Sequence, residues 1–394
     1  MIKVLDGVRV LDLGSFITAP LAAMLLGELG ADVVKVERPD GGDPFRSFKG
    51  GLYSPHFQSH NRNKRSVALD YTSPEGREVL DALIKHADVL LINVRPGVEK
   101  KLGLEEERLR RLNPRLIYCS ITGFGDTGPY SKRPAYDNVG QTASGWLSLF
   151  HSGADPRIAG PAVSDALTGT YASIGILGAL HERSRTGVGR RVEVNMLEAT
   201  IAFANEPLGG MFANGVAPAY YERAALSQSF ILTCADGRRV GVHLSSPGKF
   251  WNGLVRATGR PDLAARFPTR EERVRRYEEL CGELSKIFAC RSREEWETLL
   301  TNEDVPFAPE RTLAELPDDP QILHLKVFYE THHPKFGKLR AANRPIRYDG
   351  DNDSNYLPPP ALGEHSTDVL QEAGITQEQI LQLFSKGVLH SSAE

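Results

Sequence analysis

The chain has 394 residues, of which 41% are hydrophobic and 25% charged, close to the composition of ordinary globular proteins. This length excludes a small stapled scaffold and allows two or three domains, or one large domain with a sizeable core. Because the net charge is only −3 at pH 7, the charge balance favours neither nucleic acid nor an anionic membrane, and we expect small molecules or further copies of the chain as partners.

The first part of the chain predicts strands that alternate with helices. The run VRVLDL predicts a strand over residues 8–13, a helix follows over residues 20–29, and DVVKVE predicts a strand over residues 32–37. Since the crossover in such a βαβ unit is right-handed, the two strands are parallel neighbours. The pattern repeats in strands over 66–70, 88–93 and 116–121, and in helices over 73–86 and up to Arg111. The sequence therefore predicts the α/β fold class, with a doubly wound, Rossmann-like open parallel sheet.

The organisation changes after Arg191. The run VEVNMLEATIAF predicts a strand that enters a helix, whereas residues 209–228 are rich in Gly, Ala and Tyr and indicate an irregular linker. FILTCADGRRVGVHL predicts a hairpin over residues 230–243. The remaining predicted elements are helices over 249–258, 270–288, 293–302 and 366–373, and a Pro- and Asp-rich surface linker over 344–360.

These segments predict a chain that leaves its large domain and returns to it. We predict a large Rossmann-like domain over residues 1–205, a linker over 206–227, a small α+β domain over 228–325, a return linker over 326–360, and a C-terminal part of the large domain over 361–394.

The four cysteines, Cys119, Cys234, Cys281 and Cys290, are widely spaced and form no C-x-x-C pair. This pattern is typical of a reducing compartment and predicts neither a disulfide framework nor a structural zinc site. The first residues, MIKVLDGVRVLDL, lack the features of a secretory signal, and no apolar run approaches the length of a membrane span. We therefore expect a soluble, unprocessed, cytoplasmic protein.

The segment over residues 160–191, GPAVSDALTGTYASIGILGALHERSRTGVGRR, places the carboxylate of Asp165 at the start of a long apolar helix. Ser164 is the predicted cap of this helix. Asp165 would lie in the first turn, where unpaired N–H groups and the helix dipole keep it ionised and offer donors to an oxyanion. Asp165 can therefore be a nucleophile, although an Asp at this position more often simply begins a helix.

Several common catalytic motifs are missing from the sequence. The first βα turn reads GSFITAP instead of G-x-G-x-x-G, which argues against a nicotinamide or flavin enzyme. The eleven histidines show no metal-ligand spacing, and the sequence contains neither a G-x-S-x-G elbow nor a P-loop lysine. We expect no metal site.

Basic residues at strand ends indicate a phosphate-bearing ligand. Arg38 follows the second strand, where its guanidinium suits a phosphate ester on a ribose, although a solvated arginine is as common there. The segment NRNKRS, residues 61–66, precedes another strand, and Arg95, Lys100 and Lys101 follow a third. These groups converge only if they share one edge of the sheet, and charge runs are usually solvated faces.

Five segments together resemble the class III coenzyme A transferases, the formyl-CoA transferase and carnitine CoA-transferase family. They occur in family order over nearly the whole chain: DGVRVLDLGSFITAPLAAMLLGELGADVVKVERP, NRNKRSVALD, RPAYDNVGQ, SDALTGTYASIGILGALHERSRTGVGRRVEV and LGEHSTDVL. The resemblance implies an enzyme that moves coenzyme A from an acyl-CoA donor to a free carboxylic acid, with the CoA thioester as substrate and no permanently bound cofactor. It also implies an interlocked homodimer.

The same resemblance assigns roles to individual residues. Asp165 matches the nucleophile, which forms a mixed anhydride and then an aspartyl-CoA thioester. No external base is expected, because free aspartate has a pKa of about 3.9. Tyr136 matches an active-site tyrosine. The implied CoA contacts are Ile17, Thr18, Arg38, Leu69, Asp70, Tyr71, Thr72, Asn93, Val94, Lys101, Arg133, Ala135 and Tyr136.

Two alternatives stay open at this point. The related 2-methylacyl-CoA racemases exchange an α-proton with a His and an Asp, but their G-H-D-I-N-Y motif reads Ala135-Tyr136-Asp137-Asn138 here. A tyrosine with a pKa of about 10 is a poor base at neutral pH, which favours transfer. The second alternative is a protein that only holds CoA esters.

The acceptor acid is predicted only as a class. The glycine-rich loop of the oxalate branch has no counterpart near residues 227–230 or 245–248. Pro134 also stands where that branch has a lysine, a contact that Arg133 can replace. The sequence therefore disfavours oxalate and is compatible with a small dicarboxylic acid, without choosing among the acids that the family uses.

Overall fold

The computed structural model describes residues 3–150, 157–246, 248–351 and 355–391. The described residues divide into two compact units. The first lies within Met1–Ser148, Pro156–Glu206 and His324–Glu394, and the second within Leu149–Asp155 and Pro207–Leu323. The predicted domain and linker boundaries stay predictions.

The strands of the described residues are, in chain order, β1 (Arg9–Asp12), β2 (Asp32–Glu37), β3 (Lys64–Leu69), β4 (Val89–Ile92), β5 (Ile117–Thr122), β6 (Arg191–Asn195), β7 (Ser229–Thr233), β8 (Arg239–His243), β9 (Phe307–Pro309), β10 (Phe328–His333), β11 (Gly337–Ala342) and β12 (Leu389–His390). The helices of the same residues are α1 (Thr18–Glu28), α2 (Pro55–Gln58), α3 (Pro74–Lys85), α4 (Val98–Lys101), α5 (Glu106–Leu112), α6 (Asp137–Ala143), α7 (Val163–Thr186), α8 (Met196–Phe203), α9 (Asn205–Asn214), α10 (Glu222–Ser227), α11 (Lys249–Thr258), α12 (Asp262–Arg266), α13 (Arg270–Arg275), α14 (Tyr277–Phe288), α15 (Arg293–Asn302), α16 (Pro320–His324), α17 (Ser366–Glu372) and α18 (Gln377–Ser385).

A largely parallel sheet forms the centre of the first unit. Among the described residues it has seven strands in the order β12-β3-β2-β1-β4-β5-β6, and only β12 runs antiparallel to its neighbour. Alternating side chains of β1 belong to the cores on the two faces of the sheet. Leu11 lies in the apolar cluster that includes residues of α3, α17 and α18, whereas Val10 lies in the cluster that includes residues of α1 and α7. The strand order reverses between β1 and β4, as in doubly wound dinucleotide-binding folds. The predicted parallel α/β sheet is thus confirmed.

The second unit contains a three-stranded antiparallel sheet in the order β7-β8-β9, counted over residues 207–246 and 248–323. Its core is rich in aromatic residues, with Trp296 fully buried and its indole N–H donating to the carbonyl oxygen of Phe288 at 2.9 Å. The predicted hairpin, α11 and α15 are confirmed. The single helix predicted over residues 270–288 is wrong, because Arg276 leaves helical geometry and separates α13 from α14.

One linker prediction is wrong in its local structure. The irregular segment predicted over residues 209–228 contains helical residues of α9 and all of α10, and Gly209 and Gly210 both lie within α9. The return segment contains the hairpin β10–β11, whose Tyr329 packs edge-on against Tyr356 at 4.5 Å. The predicted surface linker over residues 344–360 is mostly exposed in its described part, although Pro359 is buried and its carbonyl oxygen accepts a hydrogen bond from Tyr53.

Candidate active site

The loop between β1 and α1 lies where the strand order reverses, at the carboxyl ends of β1 and β4. Ligands of open α/β sheets bind at such points. Asn93, just after β4, accepts from the N–H of Ser15 at 2.9 Å and donates to the Ser15 carbonyl at 2.7 Å. The same amide donates to the Thr18 hydroxyl at 2.9 Å. The side chains of Asn93 and Thr18, both predicted as CoA contacts, therefore hold this loop together.

Phe16 stands at the centre of the loop in a left-handed conformation, with φ of 64°. Few non-glycine residues adopt this conformation, and they do so where the surroundings impose it. The N–H of Phe16 donates to Asp43 Oδ1 at 3.1 Å, and its ring packs edge-on against Phe45 at 5.3 Å and Tyr136 at 5.6 Å. Phe16 thus connects the loop to the predicted active-site tyrosine, whose side chain is itself 60% exposed.

A buried ionic cluster supports this loop from below. Lys35 Nζ donates to the Gly14 carbonyl at 2.8 Å and lies 3.0 Å from Asp43 and 3.6 Å from Asp12. Lys64 Nζ donates to Asp12 at 2.8 Å. Burial opposes the charge on Lys35, but Asp12 and Asp43 outweigh it and raise its pKa, whereas burial lowers the pKa of Lys64 to about 8.

The basic segment over residues 61–66 is not a phosphate site. Lys64 is fully buried in the ionic cluster, Arg62 is buried in an ion pair with Glu28, and Arg65 pairs with Asp32 at 2.7 Å. These cations have carboxylate partners inside the first unit, which the charge run alone did not reveal. The expectation that they meet a polyanionic ligand is therefore wrong.

The remaining predicted CoA contacts lie mostly beyond the carboxyl ends of neighbouring strands. Arg38 follows β2, is exposed, and has no ion pair among the residues that the structure describes. Its charge contributes, after the hydrogen bonds from Thr72, to lowering the pKa of Asp70 at the end of β3. Leu69 is fully buried, and its carbonyl oxygen accepts a hydrogen bond from the N–H of Tyr71 at 3.0 Å.

The other predicted contacts have varied surroundings. Val94 is partly buried against the core, and Lys101 is exposed at the end of α4. Arg133 stacks on the ring of Tyr130 at 3.9 Å. Ala135 packs closely against Gly123: a Cβ added to Gly123 would lie only 2.3 Å from the Cβ of Ala135. The described contacts do not join Lys101 or Arg133 to the rest of the site.

Asp165 is the third residue of α7, and 9% of it is exposed. Its N–H donates to Asp137 Oδ1 at 3.2 Å. Ser164 does not cap the helix as predicted, because Ala162 precedes the helix and the Ser164 hydroxyl lies 2.8 Å from that of Thr200 on α8. The Ser164 hydroxyl thus contacts α8 and does not cap the N-terminus of α7.

The surroundings of Asp165 disfavour its charge. Burial, and then the neighbouring charge of Asp137, raise the pKa of Asp165 to about 7. The prediction that the helix start keeps this carboxylate ionised is therefore wrong. The physical reason is burial first and the charge of Asp137 second. Because Asp137 also accepts the Asp165 N–H, this donor is not free for an oxyanion.

The sequence reasoning did not single out Asp137, Gln141, Phe16 or Asp43 as site residues. Asp137 and Gln141 both lie in the RPAYDNVGQ segment, and their i, i+4 spacing on one helix was a usable signal. Phe16 and Asp43 are 27 residues apart and show no local signal. Within the described ranges, no group of three or more His, Cys, Asp or Glu side chains could hold a metal ion.

The second unit has a cavity of about 980 Å³ beside β7 and α14. Its walls are mainly apolar, with Ser229, His243 and Cys281 among the polar lining residues. None of the predicted site residues lines it. Among the described helices, none is long and apolar enough to cross a bilayer.

A Rossmann-type sheet with an acid at a buried helix start defines the class of site, and comparison with known proteins gives the family. The chain matches CoA-transferase family III over residues 5–366. It is 32% identical to the succinyl-CoA:glutarate CoA-transferase of Homo sapiens, over 98% of this chain and 90% of that protein. It is 34% identical to the succinyl-CoA:mesaconate CoA-transferase of Haloarcula marismortui, over 94% of this chain and 96% of that protein.

A solved structure agrees with this result. The crystal structure of a CAIB/BAIF family protein from Brucella suis aligns with a TM-score of 0.82 and 31% identity, over 94% of this chain and 99% of that one. The chain therefore belongs to CoA-transferase family III, and it is a CoA-transferase. The predicted family and activity are confirmed, and the racemase and pure binding alternatives are not favoured.

Proposed function

We propose that this enzyme moves coenzyme A from the thioester of a short dicarboxylic acid to a second free dicarboxylic acid, with Asp165 as the residue that carries the acyl group and then CoA. The observation that carries the proposal is the carboxylate of Asp165, largely buried at the start of α7, in a chain of this family. The substrate class is supported by the relatives named above, whose names specify succinyl-CoA with glutarate or mesaconate.

The proposed reaction has two symmetrical halves. A carboxylate oxygen of Asp165 attacks the thioester carbonyl, the C–S bond breaks, and CoA leaves as a thiolate from a mixed anhydride. The thiolate then attacks the Asp165 carbonyl carbon, which releases the donor acid as a carboxylate and leaves an aspartyl-CoA thioester. The acceptor carboxylate repeats these steps in reverse, so that acceptor-CoA leaves and Asp165 returns as a carboxylate.

No step of this sequence needs a proton, but the first step needs ionised Asp165. With a pKa of about 7, only about half of the free enzyme carries this charge at neutral pH. The reaction therefore slows as the pH falls below this value. The exposed Arg38, at the carboxyl edge of the sheet, is the proposed partner of the CoA nucleotide phosphates.

The interlocked homodimer, the two linkers and the cytoplasmic location are also proposals. Exposed apolar side chains of the kind that a second subunit covers support the dimer, among them Ile174 on α7, Phe203 on α8 and Phe212 on α9. Size-exclusion chromatography with light scattering tests the dimer, since a mass equal to one chain contradicts it.

Replacement of Asp165 tests the catalytic proposal. We expect Asp165→Asn to abolish CoA transfer from succinyl-CoA to glutarate, mesaconate or other short dicarboxylic acids, measured by mass spectrometry of the CoA esters. Hydroxylamine should trap the acylated wild-type enzyme as a hydroxamate at position 165. The matched control is Asp368→Asn, since Asp368 is also the third residue of a helix, α17, and is exposed. Transfer by Asp165→Asn at the wild-type rate would overturn the proposal.

A further inference from the structure

We propose that Asp137 is a positioning residue for the transfer reaction, because its carboxylate fixes the backbone of Asp165 and places a second negative charge beside the nucleophile. This inference rests on the proposed catalytic role of Asp165. Asp137 itself is assigned no contact with the substrate and no covalent step.

Both oxygens of Asp137 are held in place. Oδ1 accepts the N–H of Asp165 at 3.2 Å, and Oδ2 accepts from Gln141 Nε2 at 2.6 Å. Gln141 is only 3% exposed and also donates to the Pro161 carbonyl at 3.4 Å. Asp137 therefore connects the first turn of α6, the segment before α7 and the residue that carries the nucleophile.

The helices around this contact are packed too closely to shift easily. A Cβ on Gly140 of α6 would lie 2.3 Å from the Ser164 hydroxyl on α7. That hydroxyl in turn lies 2.8 Å from the Thr200 hydroxyl on α8, and both residues are fully buried. The close packing of α6, α7 and α8 thus fixes the distance between Asp137 and Asp165.

Among the described groups, Asp137 is the charge that acts on Asp165. Other titratable residues lie on the elements packed against α7. Three of these elements carry groups that already have a partner: Glu28 on α1 pairs with Arg62, Glu198 on α8 accepts from Asn195, and Arg191 and Glu193 on β6 pair with each other. The remaining groups are Tyr118 and Cys119 in the core on β5, and Tyr171, the nearest titratable residue on α7 itself. The pKa of Asp165 is raised by burial first and by Asp137 second. Removal of the Asp137 charge should therefore lower it.

Two substitutions separate the hydrogen bond from the charge. Asp137→Asn keeps an oxygen that can accept the Asp165 N–H but removes the charge, whereas Asp137→Ala removes both. The measurement is the initial rate of covalent labelling of Asp165 by succinyl-CoA with hydroxylamine as the trap, from pH 5 to 9, on the full-length protein. Asp368→Asn serves as the control. Thermal unfolding of each variant shows whether it is folded.

We expect the acid limb of the Asp137→Asn profile to move down by on the order of one pH unit, so that labelling at low pH becomes several-fold faster than in the wild type. Asp137→Ala should show the same shift and also lose up to about 10²-fold in rate at pH 9, because the nucleophile is no longer held in position. If Asp137→Ala does not fold, the Asp137→Asn profile decides.

An Asp137→Asn profile that coincides with the wild type would overturn this inference. Equal rates for Asp137→Ala and the wild type at pH 9 would overturn the positioning role in the same way. Both results leave the proposed function intact, provided that Asp165→Asn is inactive. Turnover by Asp165→Asn, in contrast, contradicts the proposed function whatever Asp137 does.

Discussion

Replacement of Lys35 by Met tests the buried ionic cluster below the β1–α1 loop. The Lys35 side chain is fully buried with two carboxylates, Asp12 and Asp43, and Asp43 keeps no other ion pair among the described residues. Methionine has a similar volume but no charge, so the variant leaves Asp43 in the interior with its cation gone. Breaking a buried pair by removing one partner typically costs about 3–5 kcal/mol.

The matched control is Lys338→Met in the hairpin β10–β11. Lys338 pairs with Glu330 at 2.8 Å, but the two side chains are 68% and 51% exposed. Such a surface pair contributes about 0–1 kcal/mol. Urea unfolding followed by circular dichroism should therefore separate the two variants clearly.

Lys35→Met should also weaken substrate binding, because Lys35 holds the Gly14 carbonyl and, through Asp43, the N–H of Phe16. We expect a raised KM for succinyl-CoA in Lys35→Met and an unchanged KM in Lys338→Met. Equal unfolding free energies for the two variants would refute the reasoning from burial, and an unchanged KM in Lys35→Met would refute the role of the cluster in shaping the loop.

Three further predictions follow from the site. Because the folded-state pKa of Asp165 is raised to about 7, its charge destabilises the fold at every pH above the unfolded-state pKa. Asp165→Asn should therefore increase the unfolding free energy by up to about 4 kcal/mol at pH 8 and by much less near pH 4. Equal gains at the two pH values would contradict this reasoning. Gly140→Ala should lower both stability and transfer rate, because its Cβ would clash with Ser164, whereas Gly282→Ala on α14, with open space around it, should be neutral or stabilising by about 0.5–1 kcal/mol in thermal unfolding. Arg38→Ala should raise the KM for CoA esters about tenfold or more with little change in kcat, and steady-state kinetics with an unchanged KM would remove Arg38 from the site.

The parallel sheet could be predicted because its buried strands are continuous apolar runs. Val33, Val34 and Val36 of β2 are all buried and leave a clear signal in the sequence. Lys35, between them, is fully buried as well, and nothing in the run DVVKVE distinguishes it from a solvated lysine. Its partners Asp12 and Asp43 lie on other segments, so the ionic cluster exists only in three dimensions.

The position of Asp165 could be predicted from one helix, but its chemical state could not. A helix start favours an ionised carboxylate and so lowers its pKa, but burial and the charge of Asp137 raise the pKa of Asp165. Asp137 is 28 residues away in the sequence, so this effect leaves no local signal. Ser164 was likewise a reasonable cap by residue type, until α8 supplied Thr200 as a partner for its hydroxyl. Contacts between helices decided both cases.

The first unit is discontinuous, and this has a consequence for synthesis on the ribosome. Its core needs Val369 and Leu370 of α17 and Ile380 of α18, and β12 covers the outer side of β3. All of these residues follow the second unit in the chain. Domains commonly complete their folding in order from the N-terminus. Here residues 207–323 of the second unit emerge before α17, α18 and β12, so the nascent first unit lacks part of its core until these last elements have been made.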